Sequence, residues 1–145
     1  MPGLDSMPIT PINLVEEPGR DGYVPGACNI GPMEIRRRRA IAIVGFAAAA
    51  VLFAVLVATG APAWTRLILM LPLVGGTFSW LQARRRFCAA FAMAGIANFG
   101  GSSDIQQGVQ DPEARKADMA AIRRMTRDAL LIALPVTLIA VLLPV

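Results

Sequence analysis

The 145-residue chain contains no histidine, two cysteines and one tyrosine. Without histidine there is no imidazole general base, no His-ligated haem and no ordinary zinc site. Two thiols cannot complete a tetrahedral metal site within one chain, and Cys28 and Cys88 do not form a CxxC pair. Gly95, Gly100 and Gly101 lack the spacing and the following lysine of a phosphate-binding loop. Ten acidic residues are scattered over tail and loops, which gives a paired-carboxylate site no support. No charge interrupts Ala40–Thr59, Leu67–Ala83 or Ala129–Val145, so the usual mark of an ion or proton path is missing from the apolar stretches. The expectation is a protein with no cofactor, no metal and no catalytic residues.

What the chain does have is apolar length. Its hydrophobic fraction is 55% and its mean hydropathy +0.55, above the roughly 45–50% of a soluble domain. Four arginines, Arg36, Arg37, Arg38 and Arg39, run into the twenty uncharged residues of Ala40–Thr59, which stop at Gly60-Ala61-Pro62. Twenty helical residues rise ~30 Å, the depth of a bilayer's hydrocarbon. A second stretch, Leu67–Ala83, has seventeen uncharged residues and ends at Arg84, Arg85 and Arg86. Pro72 and the Gly75-Gly76 pair predict that it is kinked or closely packed. A third, Ala129–Val145, is interrupted by Pro135. With three spans, thirteen of the fourteen basic residues fall on one side and only Arg66 on the other. That distribution puts the basic side in the cytoplasm. The competing arrangement leaves 129–145 re-entrant or interfacial.

The fold expected is therefore an all-α membrane protein of about three transmembrane helices, a hairpin plus a C-terminal span, preceded by an extended Pro/Gly-rich tail. Residues 1–31 form the cytoplasmic tail and 32–61 the first helix. Residues 66–99 form the second span and a cytoplasmic or interfacial continuation. A polar loop follows at 100–110, then a helix at 111–145. Five prolines and five glycines in 1–31 keep helix and strand short there. No apolar core with a cleavage site makes the tail a signal peptide. Such a segment buries too little to offset its own ordering entropy, so it is expected to lie extended on a partner protein. Pro32 followed by Glu34 suits a helix start, as does Asp111-Pro112-Glu113. Arg115–Asp128 has mixed charge and scattered apolar residues, and reads as solvated or interfacial.

Small residues four apart on the first span, Gly45/Ala49, Ala50/Ala54 and Ala54/Ala58, predict a close-packing face, with the second helix and its Gly75-Gly76 as neighbour. The few polar side chains of the spans are expected to bond their own helix, while Thr59 and Gln82 meet water or head groups at the span ends. Arg36–Arg39 and Arg84–Arg86 are expected to set topology and contact anionic lipid head groups. Nucleic acid is not expected, because no basic patch interleaved with aromatics stands apart from the spans.

Cys28-Asn29-Ile30-Gly31-Pro32, running into the arginines, resembles a stretch in small uncharacterised bacterial membrane proteins, where a CNIGP-type motif precedes a basic cluster and an apolar hairpin. Leu81-Gln82-Ala83-Arg84 followed by Cys88 resembles their second landmark. The resemblance implies a bacterial plasma membrane location with no known activity, and that Cys28 and Cys88 meet in the fold. Two functions stay open. One is a non-catalytic accessory subunit of a larger membrane complex, respiratory or photosynthetic, with other membrane subunits and anionic lipids as partners. The other is a thiol-redox or metal-responsive protein acting through Cys28 and Cys88, the latter lying just past three arginines.

Overall fold

A computed structural model describes residues 22–99 and 106–145, so most of the expected tail and the first part of the expected loop lie outside the described residues. The chain is mostly helical with little strand. Helix α1 covers Pro32–Ala58, α2 Met70–Arg85, α3 Ala89–Ala94 and α4 Pro112–Leu142. A 3-10 helix, Ala63–Leu69, leads directly into α2. Strands β1, Ile96–Asn98, and β2, Gln106–Gly108, pair antiparallel with Ala97 opposite Gln107.

Helices α1 and α4 are each long and apolar enough to cross a membrane. Only 11% of the apolar window of α1 and 28% of that of α4 are buried within the chain, unlike the core helix of a soluble protein. Ile43, Val44 and Val51 on α1, and Leu131, Ile139 and Leu142 on α4, all point outward. An apolar surface of this kind needs a non-aqueous surrounding or a partner.

Helix α2 lies in the middle, packed against α1 on one side and α4 on the other. The approach of α1 to α2 is set by two glycines. A Cβ on Gly45 would sit 2.9 Å from the Gly76 Cα and 3.2 Å from the Pro72 carbonyl oxygen, so backbone meets backbone there. Ala42 and Ala49 are buried beside Gly45. Ala50, Ala54 and Ala58 are exposed on the opposite side, and Gly75 also faces open space. The small-residue face toward α2 is therefore Ala42–Gly45–Ala49, and the other expected packing positions lie elsewhere. An alanine-rich helix offers several such registers, and which one is used depends on where the neighbour lies.

One end of the bundle carries a small platform. Arg86 ends α2 in the left-handed conformation (φ 52°), and Phe87 and Cys88 turn the chain into α3. Gly95 (φ 70°) ends α3, where left-handed backbone favours glycine. The expected continuation of α2 is thus a broken helix followed by a strand, and the expected loop contributes β2. Residues 28–31 extend the ladder beside β1: Asn98 N–H donates to the Asn29 carbonyl and Gly31 N–H to the Asn98 carbonyl, both at 2.9 Å. Gly31 has no room for a side chain, since its Cβ would fall 2.5 Å from the Phe99 carbonyl oxygen.

Helix α4 starts as its sequence predicts, with the Asp111 carboxylate accepting from the Glu113 and Ala114 N–H groups at 3.2 Å. Its charged first half is not solvated all round. Ala114, Asp118, Ala121, Met125, Ala129, Ala133 and Thr137 form one buried stripe along the helix. Met125 and Ala121 close a core with Phe87 and Ala92. Alanines make that stripe, so it does not stand out as hydrophobic.

Candidate functional site

The polar chemistry of the described residues is concentrated at the platform. Asn29 is wholly buried and clasps the Cys88 peptide: Nδ2 donates to its carbonyl at 3.0 Å and Oδ1 accepts from its N–H at 2.6 Å. The Asn29 N–H also donates to the Arg86 carbonyl at 3.1 Å. Gln82 is buried, and its Oε1 accepts from the Ala89 N–H at 3.0 Å, starting α3. Water or head groups therefore do not serve Gln82. Asp118 on α4 accepts from the Tyr23 hydroxyl at 2.9 Å and the Gly26 N–H at 2.7 Å. Burial and then the Asp118 carboxylate push the Tyr23 phenol above its ordinary range. Three segments far apart in sequence are tied to one another through three side chains.

The seven clustered arginines divide by helix face. Arg38 shares the α1 face of Ala42 and Gly45 and turns inward, where Nη2 donates to the Cys88 Sγ at 2.9 Å. Glu34 lies 3.9 Å from Arg38 and 3.6 Å from Arg37. Arg85 reaches across to Asp128 at 2.6 Å, and Arg84 is exposed. Arg36, Arg39 and Arg86 line a groove of about 770 Å³ together with Cys28, Ile30 and Phe99. Among the described residues, no carboxylate lies within 4.0 Å of these three guanidinium groups. The groove is lined by both basic and apolar side chains, which suits an anion carrying an apolar part.

The two cysteines lie on neighbouring segments, and both are free thiols. Cys88 is fully buried against Arg38, whereas Cys28 is partly exposed on the groove. Among the described residues, no three His, Cys, Asp or Glu side chains are grouped as a metal site.

The opposite end of the bundle has one arginine. Arg66, 3% exposed, donates from Nη1 to the backbone oxygens of Ala140 at 3.1 Å and Leu143 at 2.8 Å, and from Nη2 to that of Val145. Its guanidinium also lies 5.8 Å from the centre of the Phe53 ring. A cation at a helix C-terminus satisfies carbonyls that have no partner within the helix and favours the dipole. Arg66 gathers the ends of α1, α2 and α4. Nothing in the local sequence signals it, because its acceptors are more than seventy residues away.

Comparison of the chain with protein-family models, curated proteins and solved structures finds no match.

Proposed function

We propose that the chain is a non-catalytic accessory subunit of a larger bacterial membrane complex, respiratory or photosynthetic. It crosses the plasma membrane three times, with its platform in the cytoplasm and its C-terminal end outside. The observation that carries this reading is where the buried polar side chains end. Asn29, Gln82, Asp118 and Arg66 are all bonded to this chain's own groups and serve to hold three helices to a platform and to one another.

The length of the middle segment supports a third span. Helix α2 alone has 16 residues, but the 3-10 helix before it adds seven. At ~1.5 Å per α-helical and ~2.0 Å per 3-10 residue, the pair rises about 38 Å, enough for a hydrocarbon core of about 30 Å. The platform end holds the arginine clusters and the opposite end holds Arg66 alone, which fits an inward platform. The outward apolar faces of α1 and α4 then meet lipid and other subunits.

The test is native electrophoresis of gently solubilised membranes followed by mass spectrometry of co-migrating proteins. Co-migration with a large assembly is expected and names the host. Migration as a small isolated species contradicts the reading. The thiol-based alternative rests on the Arg38–Cys88 contact. Replacing Cys28 and Cys88 together by serine tests it, and unaltered assembly and activity of the host would exclude it.

A further inference from the structure

We propose that the groove between α1, residues 22–31 and Arg86 is a binding site for one anionic glycerophospholipid, its phosphodiester held by Arg36, Arg39 and Arg86. The proposal rests on the membrane placement given above. Three observations converge on it.

The first is the unpaired charge. Of the other arginines of the two clusters, Arg37 and Arg38 sit near Glu34, Arg85 contacts Asp128, and Arg84 is exposed outside the groove with no carboxylate within 4.0 Å among the described residues. The three on the groove have none within 4.0 Å among the described residues, although they converge on one cavity. Like charges brought together destabilise one another unless an anion lies between them, and guanidinium groups match phosphate oxygens in geometry.

The second is the conformation of Arg86. It is the one non-glycine residue with positive φ among the described residues (φ 52°, ψ 36°). A left-handed helix cap favours glycine, and a side chain there is strained. An arginine at that position is consistent with a task for its guanidinium that glycine cannot perform.

The third is the path for the acyl chains. At ~100° per residue, Arg36, Arg39, Ile43, Ala47, Ala50, Ala54 and Ala58 fall within an arc of about 100° on α1. From Ile43 to Ala58 every one of these residues is exposed. A smooth apolar track therefore descends from the two arginines along the helix, away from α2. A diacyl lipid with its phosphate in the groove lays its chains on that track. Ile30 and Phe99 add apolar lining to the groove itself. The same chemistry accepts free phosphate, but the track has a use only for a lipid.

The experiment is native mass spectrometry of the full chain released from nanodiscs containing phosphatidylglycerol and phosphatidylcholine. The wild-type chain is expected to retain phosphatidylglycerol preferentially. Arg36→Gln with Arg39→Gln is expected to reduce that preference about twenty-five-fold, given roughly a factor of five per basic contact. Arg37→Gln, which removes one positive charge outside the groove, is expected to leave it unchanged. Arg86→Gly is expected to weaken retention while the melting temperature holds or rises, which separates ligand loss from misfolding. Equal loss in Arg37→Gln, or retention unaffected by Arg86→Gly, would overturn the site. Displacement of the lipid by millimolar inorganic phosphate would assign the groove to a free anion and overturn the lipid. Insertion without lipid preference overturns the groove alone, whereas failure to enter the nanodisc overturns the membrane reading with it.

Discussion

Asn29 and Cys88 are joined side chain to backbone by two hydrogen bonds, at 3.0 and 2.6 Å, so that an asparagine takes the place of a neighbouring strand. Replacing Asn29 by alanine leaves both polar groups of the Cys88 peptide buried without that partner. Such a loss costs about 2–3 kcal/mol. Asn29→Ala is expected to lower the thermal transition in detergent and to expose the 86–98 backbone to hydrogen exchange, with α1 and α4 remaining protected.

Gly45 and Gly75 are both glycines in helices, yet their substitution is expected to act in opposite directions. A side chain at Gly45 meets the backbone of Gly76 and Pro72, which cannot rotate aside. Gly45→Val is expected to cost about 1–3 kcal/mol by overpacking. Nothing lies within 4 Å of a Cβ at Gly75, so Gly75→Ala is expected to stabilise by about 0.5–1 kcal/mol through helix propensity. Thermal denaturation of the two variants in one detergent compares them directly.

These two positions also indicate how much of the fold was legible. Helix starts at Pro32 and Asp111 follow from local backbone chemistry and were readable. The small-residue spacing marked Gly45 and Ala49, but with equal weight it marked Ala50, Ala54 and Ala58, which face away from α2. Spacing fixes a face of a helix without fixing the neighbour. The groove was half legible. Arg36, Arg39 and Arg86 stood out as basic clusters, yet their separation from Arg38 and Arg85 depends on helix phase and on the break at Arg86. An arginine in left-handed backbone gives no sequence signal, so the break was not visible. Asn29–Cys88, Asp118–Tyr23 and Arg66 with the end of α4 are long-range polar pairings, and no periodicity announces them.

Arg66 is expected to be the stabilising element of the end opposite the platform. Arg66→Met removes the donor to three backbone oxygens at the end of α4, with an expected cost of about 2–3 kcal/mol. Hydrogen exchange should rise in residues 139–145 first. Arg66→Lys, with fewer donors in a less fixed array, should fall between the two.

The Tyr23–Asp118 contact predicts a dependence on alkaline pH. The folded phenol is raised above its ordinary value of 10.0, by burial first and then by its hydrogen bond to Asp118, with Asp111 adding to the rise and Arg115 opposing it. A raised folded-state value means that the folded chain holds its proton where the unfolded chain has released it. Stability from this group is therefore complete below about pH 10 and declines as pH rises further. Tyr23→Phe is expected to flatten the melting temperature above pH 10 relative to wild type. An unchanged slope would assign the alkaline loss to other groups.

The most direct test of three spans with an inward platform is labelling of single cysteines by a membrane-impermeant maleimide on intact cells. The positions are Ala61, Gln110 and Val145, each placed in a chain lacking Cys28 and Cys88. Ala61 lies in the turn after α1, Gln110 just before α4, and Val145 beside Arg66. Labelling of positions 61 and 145 from outside, with 110 reached only after the cells are opened, is the expected result. Labelling of 61 and 110 from the same side would mean that α2 does not cross the membrane, and the three-span arrangement would be wrong.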